Sequence, residues 1–191
     1  MSGYTKIANG KYKYDMDLEQ VTDSLDGGEF QLKAFQGDIG STSPITTTSN
    51  QWIVGVSTAT DQAHMRTILK FKMPDKPSDT GDIKITELFF QVNVETGSAA
   101  VIDVHPISIP ASSLDMSDAT WAVYDSGVSW SNPGCDHDDS TDFGFGGNGK
   151  LISQVTASNG TTYTFNLSAY ADKLEWGDEF AFLFKTSSTD N

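Results

Sequence analysis

The densest run of oxygen-donating side chains in the sequence is Asp136–Asp142 (Asp-His-Asp-Asp-Ser-Thr-Asp). Calcium takes six to eight oxygen ligands, several of them carboxylates that a loop brings together. We therefore interpret Ca²⁺ as the one cofactor to which the sequence points, with Asp136, Asp138, Asp139 and Asp142 as its ligands. The spacing is not that of an EF-hand loop. A solvated acidic loop explains the same residues, because such loops are common in acidic proteins.

Four tryptophans are candidates for contact with a ligand. Trp121 and Trp130 lie nine residues apart and are followed at once by Asn-Pro-Gly, which ends any regular element. This stretch is therefore a long connection held by two aromatic rings. Large aromatic side chains are mostly buried, so a core position is one interpretation for each ring. The other is a flat surface for a sugar, and it makes Trp52, Trp121, Trp130 and Trp176 the candidate ligand-binding residues.

Signals for catalysis are weak. The three histidines, His64, His105 and His137, are far apart and belong to no metal-binding or nucleophile motif. The glycine-rich stretch 143–149 follows no predicted strand, so it is not a phosphate-binding loop. We expect no catalytic residues and no enzymatic activity.

Apolar residues alternate with polar ones in many short runs separated by turn residues. This spacing, with almost no helical pattern, predicts an all-β fold, an antiparallel β-sandwich of jelly-roll type. Residues 1–28 are expected to form an N-terminal strand or attachment segment, and residues 29–191 the jelly-roll domain. The predicted strands are 11–21, 29–35, 51–57, 65–73, 83–95, 99–109, 151–155, 163–167 and 179–185.

Composition excludes several classes of protein. The formal net charge of −14 repels nucleic acid and anionic membrane surfaces. The single cysteine, Cys135, forms no intrachain disulfide. The sequence contains no apolar run long enough for a transmembrane helix. Its start, Met1–Lys6, does not have the pattern of a secretory signal, so we expect a protein made without a cleaved signal peptide.

Several strand motifs occur in the order found in one known family. From about residue 29 onward, the order resembles the DNRLRE domain, whose members include alginate-binding modules (carbohydrate-binding module family 96) and repeats of archaeal disaggregatase-like surface proteins. The matching residues are Trp52–Val56, Arg66–Phe71 (Arg-Thr-Ile-Leu-Lys-Phe), Ile83–Phe90, the Trp121…Val128-Ser-Trp130…Pro133 series, and Tyr163–Leu167 with Phe182–Lys185. The resemblance implies a jelly roll, polysaccharide binding in part of the family, and no catalysis. This sequence departs from the family in two ways. The last strand of the family has no match in this sequence, and the predicted strand at 12–18 has no match in the family.

Two functions fit these observations. The first is a non-catalytic surface module of a larger assembly, such as a virion decoration or fibre-type protein or a cell-surface appendage. The second is a polysaccharide-binding module cut from a secreted carbohydrate-active enzyme, with the tryptophans as stacking rings. Under the first, other protein chains are the partners, a homo-oligomer is expected, and the location is the virion or cell surface. Residues 11–19 are expected to pair as an edge strand, in their own sandwich or in a neighbour's.

The calcium interpretation makes a direct prediction. Binding to the native state alone stabilises it by about 2.7 kcal/mol at a hundredfold excess over the dissociation constant. Melting temperatures measured with Ca²⁺ and with a chelator should therefore differ for the wild type and converge for Asp138→Asn. Equal melting temperatures of the wild type with Ca²⁺ and with chelator would rule out the calcium site.

Overall fold

The computed structural model describes the chain in sections: residues 3–8, 11–15, 19–22, 24–37, 45–49, 52–56, 64–76, 84–94, 99–107, 109–131, 134–135 and 151–187. Within them lie fourteen strands: β1 (Gly3–Ala8), β2 (Lys11–Asp15), β3 (Glu19–Gln20), β4 (Glu29–Gly37), β5 (Ile45–Ser49), β6 (Gly55–Val56), β7 (His64–Lys72), β8 (Phe89–Val94), β9 (Ala100–Pro106), β10 (Val123–Asp125), β11 (Val128–Ser129), β12 (Ser153–Ala157), β13 (Thr161–Asn166) and β14 (Glu179–Thr186). Two 3₁₀ helices, Ala111–Ser113 and Ser168–Lys173, complete the described elements. Neither is long enough to cross a bilayer.

One large sheet forms the centre of the fold. Its strand order is β12-β9-β14-β7-β4-β3, with β5 added to β4 and β6 added to β7. The long neighbours pair antiparallel, and the short pair β3–β4 is parallel, so the sheet is mixed. The prediction of an all-β fold is confirmed.

A second layer covers one face of this sheet. Strands β8 and β13 pair antiparallel as a separate two-stranded sheet, and the Asn159-Gly160 turn connects β12 to β13. Phe165 of β13 is buried, and alternate residues of β8 pack beside it. They meet the phenylalanines that β14 directs to this face, Phe180, Phe182 and Phe184. The arrangement is that of a β-sandwich, in which two inner faces interdigitate.

The opposite face of the large sheet is buried as well. It is covered by the described residues between 107 and 135 (107, 109–131 and 134–135), hereafter the covering segment, which contains the two tryptophans of the predicted connection. Alternate residues of β14, Ala181 and Leu183, form a second core with the covering segment. Because both faces are covered, β14 is buried along nearly its whole length instead of alternating between core and solvent.

Trp121 and Trp130 are the two large side chains of this second core. Trp121 is fully buried, edge-on to Phe35 at 6.2 Å between ring centroids. Trp130 is 4% exposed, and its indole N–H donates to the carbonyl oxygen of Thr120 at 2.9 Å. Neither ring has a face open to a sugar. The assignment of Trp121 and Trp130 as ligand-binding residues is therefore corrected: both occupy the core, as large aromatic side chains usually do.

Three cationic side chains of the large sheet fix the covering segment. Lys33 Nζ donates to Ser117 O at 3.1 Å, and Lys70 Nζ donates to Leu114 O at 3.0 Å. The guanidinium of Arg66 donates to Gly134 O at 2.6 Å and lies 5.0 Å from the centroid of the Trp121 ring. All three cations are buried, where a charge is tolerated only if it is paired or hydrogen-bonded.

Most predicted strands have counterparts among the observed ones. Of the described residues in 83–95, only Phe89–Val94 form a strand, and of those in 51–57 only Gly55–Val56 do. Ile45–Ser49, which lie outside the predicted strands, form β5. The covering segment, predicted as a connection, includes the small β10–β11 hairpin.

The N-terminal strand prediction has a mixed outcome. Residues 11–15 pair with β1 in a sheet of their own, and of the described residues near them Glu19–Gln20 pair with β4 at the edge of the large sheet. Residues 11–15 are therefore not an edge strand of their own sandwich, and their addition to a neighbour's sandwich stays a prediction. The jelly-roll order of strands stays a prediction.

At Gly134 the covering segment packs closely against Arg66 of the sheet and against the ring of Trp121. Its φ is +91°, and an added Cβ would lie 2.7 Å from Arg66 Nη1 and 2.7 Å from a ring carbon of Trp121. We expect Gly134→Ala to lower the free energy of unfolding by about 3 kcal/mol, from left-handed backbone strain and overpacking together.

The matched control is Gly160→Ala, at φ +73° with no atom within 4 Å of the added Cβ. It should cost about 1 kcal/mol, because only the backbone term applies. Both values are measured by urea unfolding. Equal losses in the two variants would contradict the close packing at Gly134.

Candidate functional site

An open cleft of about 740 Å³ lies between the covering segment and the large sheet. Its walls are the loop before β4, the first 3₁₀ helix with the turn after it, and the β10–β11 hairpin, and residues of β4, β7 and β14 line it from the sheet. Most lining side chains are polar, and hydroxyls are the commonest group. The lining residues are Thr22, Ser24, Leu25, Gln31, Lys70, Ser112, Ser113, Leu114, Asp115, Met116, Ser117, Tyr124, Asp125, Val128 and Glu179.

The floor of the cleft is an ion pair between neighbouring strands. Lys70 Nζ lies 3.0 Å from Glu179 Oε2. The same ammonium donates to Leu114 O, so it holds the wall of the cleft as well as its floor. Lys70 is buried and Glu179 is half-buried, which limits the freedom of both side chains. A site with such a fixed floor loses little conformational entropy when a ligand binds.

Asp115 orders the turn that forms the acidic wall. Its Oδ1 accepts the Ser117 hydroxyl at 2.6 Å, the Ser117 N–H at 2.8 Å and the Asp118 N–H at 3.4 Å. One carboxylate oxygen thus satisfies two backbone donors at the start of the turn, as a helix N-cap does. The Asp115 N–H in turn donates to Tyr124 O at 3.0 Å, which joins this turn to the β10–β11 hairpin.

Three carboxylates converge beside the cleft. One oxygen from each of Asp115, Asp118 and Asp125 lies within 4.8 Å of the other two. Asp115 and Asp118 are exposed, and Asp125 is half-buried with an Oδ1 that accepts the Ser126 N–H at 2.6 Å. Exposed acidic groups are common without an ion, so the chemistry that the group offers is a local negative potential.

Hydrogen bonding and burial shift two pKa values at this site in the same direction. The hydroxyl and N–H of Ser117 hold the pKa of the Asp115 carboxyl below its ordinary value, with smaller contributions from the Asp118 N–H and the charge of Lys70. Burial lowers the pKa of Lys33, and the carboxylates of Asp115 and Asp118 oppose this. Asp115 is consequently an anion at neutral pH.

The other two candidate tryptophans, Trp52 and Trp176, are half-buried against the core between the large sheet and the β8–β13 sheet. Trp52 lies 4.3 Å from Phe184 and 5.7 Å from Phe90 between ring centroids, so other rings surround it. Thr67 holds this stretch in place, since its hydroxyl donates to Ile53 O and accepts the Ile53 N–H. Trp176 lies in the turn before β14 and also packs against that core. Their roles as ligand-binding residues stay predictions.

The predicted calcium ligands Asp136, Asp138, Asp139 and Asp142 lie outside the described residues, so the calcium site stays a prediction. The described carboxylate group is a different one. The sequence does not reveal it, because its members are separated by up to ten positions and the order Asp115…Asp118…Asp125 shows no metal-ligand spacing. Cys135 is buried at the end of the covering segment, with φ at +74°.

Comparison with known proteins gave no match to any family model, to any curated protein or to any solved structure. Function is therefore inferred from the site itself.

Asp115 makes the stability of the cleft wall dependent on pH. Because its folded-state pKa is lowered, the stability it contributes is present above about pH 4 and is lost as pH falls through the folded value. Asp115→Ala should cost about 1 kcal/mol at pH 7, since the turn loses its capping acceptor. Asp115→Asn should cost less and should flatten the acid limb of a plot of unfolding free energy against pH. Asp118→Ala is the control. An equal loss of unfolding free energy in Asp118→Ala would show that the hydrogen bonds to Asp115 do not account for the stability of the turn.

Proposed function

We propose that this protein is a non-catalytic surface module of a larger assembly, a virion decoration or fibre-type protein or a surface appendage, that binds a polar partner group in its cleft. The observation that supports this most is the cleft itself. Hydroxyls and carboxylates surround a fixed ion pair, on loops carried by a sheet that is packed on both faces. Loops held by a rigid scaffold are where proteins place recognition sites.

The chemistry of the cleft favours binding over catalysis. Its charged groups are already partners of one another: Lys70 with Glu179, and Asp115 with the Ser117 donors. A general acid or base works best when its pKa lies near the operating pH. Asp115 has instead a pKa shifted further from neutrality, which suits a permanent negative charge in a recognition surface.

The N-terminal region supports the assembly part of the proposal. Strands β1 and β2 make a sheet of their own, and β3 then joins the chain to the edge of the large sheet. A hairpin with this placement has two edges along which another chain can add a strand. In the proposal, residues 1–28 attach the module to its neighbours, most simply copies of itself at the surface of a particle or cell.

A polysaccharide-binding module from a carbohydrate-active enzyme is the second candidate. The hydroxyl-rich lining favours it, together with Tyr124 in the cleft wall and the half-buried Trp176. It also agrees with the resemblance to the DNRLRE domain. This candidate needs no oligomer, and that difference separates the two functions.

Two variants test the proposal. Ser113→Trp places a large ring in the cleft from an exposed position, and Thr156→Trp places the same ring on an exposed site of β12 as the control. We expect Ser113→Trp to abolish binding to particles purified from the source, and Thr156→Trp to leave this binding unchanged. Binding that is insensitive to Ser113→Trp would rule out the cleft.

Light scattering then distinguishes the two functions. A wild-type oligomer that becomes a monomer when residues 1–15, which hold β1 and β2, are removed, with unchanged melting of the sandwich, supports the assembly module. A wild-type monomer that retains glycan binding supports the polysaccharide-binding module and overturns the assembly proposal.

A further inference from the structure

The outer face of the β8–β13 sheet is made of three cross-strand pairs that point away from the core. Along each strand, these residues alternate with the ones that pack against the large sheet. The register joins them directly across the two strands, and all six side chains are exposed: Phe89 with Asn166, Gln91 with Thr164, and Asn93 with Thr162. Same-face residues repeat every ~6.8 Å along a strand, so this ladder is about 14 Å long.

The ladder contains no ionisable side chain, although the chain as a whole has 26 acidic and 12 basic residues. Its chemistry is three amides, two hydroxyls and one phenyl ring. Such a surface can donate and accept hydrogen bonds but provides no electrostatic attraction for a charged polymer.

Two hydrogen bonds order these side chains before any ligand arrives. Gln91 Nε2 donates to Thr164 Oγ1 at 3.1 Å across the strands. Asn166 Oδ1 accepts the Ser168 N–H at 3.0 Å. The first bond leaves the Gln91 carbonyl oxygen for a ligand, and the second leaves the Asn166 amide hydrogens. Polar groups fixed in this way bind with a smaller loss of side-chain entropy.

Phe89 is the most exposed large hydrophobic residue of the described chain, at 53%. It lies at one end of the ladder, beside the amides of Asn166 and Gln91. An aromatic ring next to amides and hydroxyls matches a pyranose, which has an apolar face of C–H groups and a rim of hydroxyls.

We propose that the outer face of β8–β13 binds a neutral polysaccharide, with the polymer along the strands and one sugar ring packed on Phe89. This site is separate from the cleft and goes beyond the function proposed for it. A second copy of the chain fits the face less well, since a stable dimer buries about 800 Å² and 20 to 30 residues on each side. Three cross-strand pairs with a single ring offer far less.

The test is affinity electrophoresis in gels that contain xylan, mannan, mixed-linkage β-glucan or starch, with alginate as the charged comparison. We expect at least one neutral polymer to retard the wild type and alginate to leave it unretarded. Phe89→Ala should weaken the retarding interaction about tenfold or more, because the sugar loses its stacking surface. Thr164→Val, which removes the bond to Gln91 and keeps the shape of the side chain, should weaken it by a smaller factor.

Two controls show whether binding belongs to this face. Leu151→Ala removes a hydrophobic side chain of similar exposure, 44%, just before β12, and it should bind like the wild type. Ser113→Trp, which fills the cleft, should also bind like the wild type, so a failure of the cleft proposal and a failure of this one give different results. Melting curves confirm that each variant is folded.

Several results would overturn the proposal. They are no retardation of the wild type by any neutral polymer, retardation by alginate alone, or unchanged binding by both folded variants, Phe89→Ala and Thr164→Val. A change from dimer to monomer in light scattering on Phe89→Ala, without retardation by any polymer, would show instead that a second copy covers the face.

Discussion

The fold depends on what happens to three positive charges that lie inside it. Lys33, Arg66 and Lys70 come from neighbouring strands of one sheet, on the face opposite the phenylalanine core. A buried cation without partners costs several kcal/mol, and in this protein each one donates to a backbone carbonyl of the covering segment. The segment must therefore bring three carbonyl groups to three fixed points, and that requirement shapes its turns.

The two tryptophans and the cleft follow from this constraint. Between these hydrogen bonds, the rings of Trp121 and Trp130 fill the space between the covering segment and the sheet. Where the segment turns away from the sheet at Leu114, Lys70 remains partly paired with Glu179 and becomes the floor of the cleft. The interactions that close the second core thus also build the candidate site.

The strands could be predicted from the sequence, because alternation of apolar and polar residues is a local signal. The second core could not. In β7, Arg66 and Lys70 share a face with Ile68, so this face carries both charged and apolar residues, yet it is buried. Its cations bind a segment 44 to 68 residues away along the chain, and nothing local to β7 encodes that contact.

The candidate site was predictable only in part. The sequence directs attention to the acids at 136–142, whereas the described carboxylate group joins Asp115, Asp118 and Asp125 through the β10–β11 hairpin. The sequence treats all four tryptophans alike. The structure separates the buried Trp121 and Trp130 from the half-buried Trp52 and Trp176. Phe89, the one exposed phenylalanine among the described residues, has no distinct sequence signal because its neighbours Leu88 and Phe90 are also apolar and face the core.

The cation–carbonyl bonds have a consequence for how such a chain can diverge. Every amino acid has a backbone carbonyl, so Lys33 and Lys70 recognise the path of the covering segment and not its side chains at Leu114 and Ser117. Substitutions along much of that segment leave these anchors intact, whereas substitutions of the cations, the two buried indoles or Gly134 remove a contact between the segment and the sheet. Descendants of one ancestor could then keep the architecture while their surface loops, and the ligands they recognise, become unrelated in sequence.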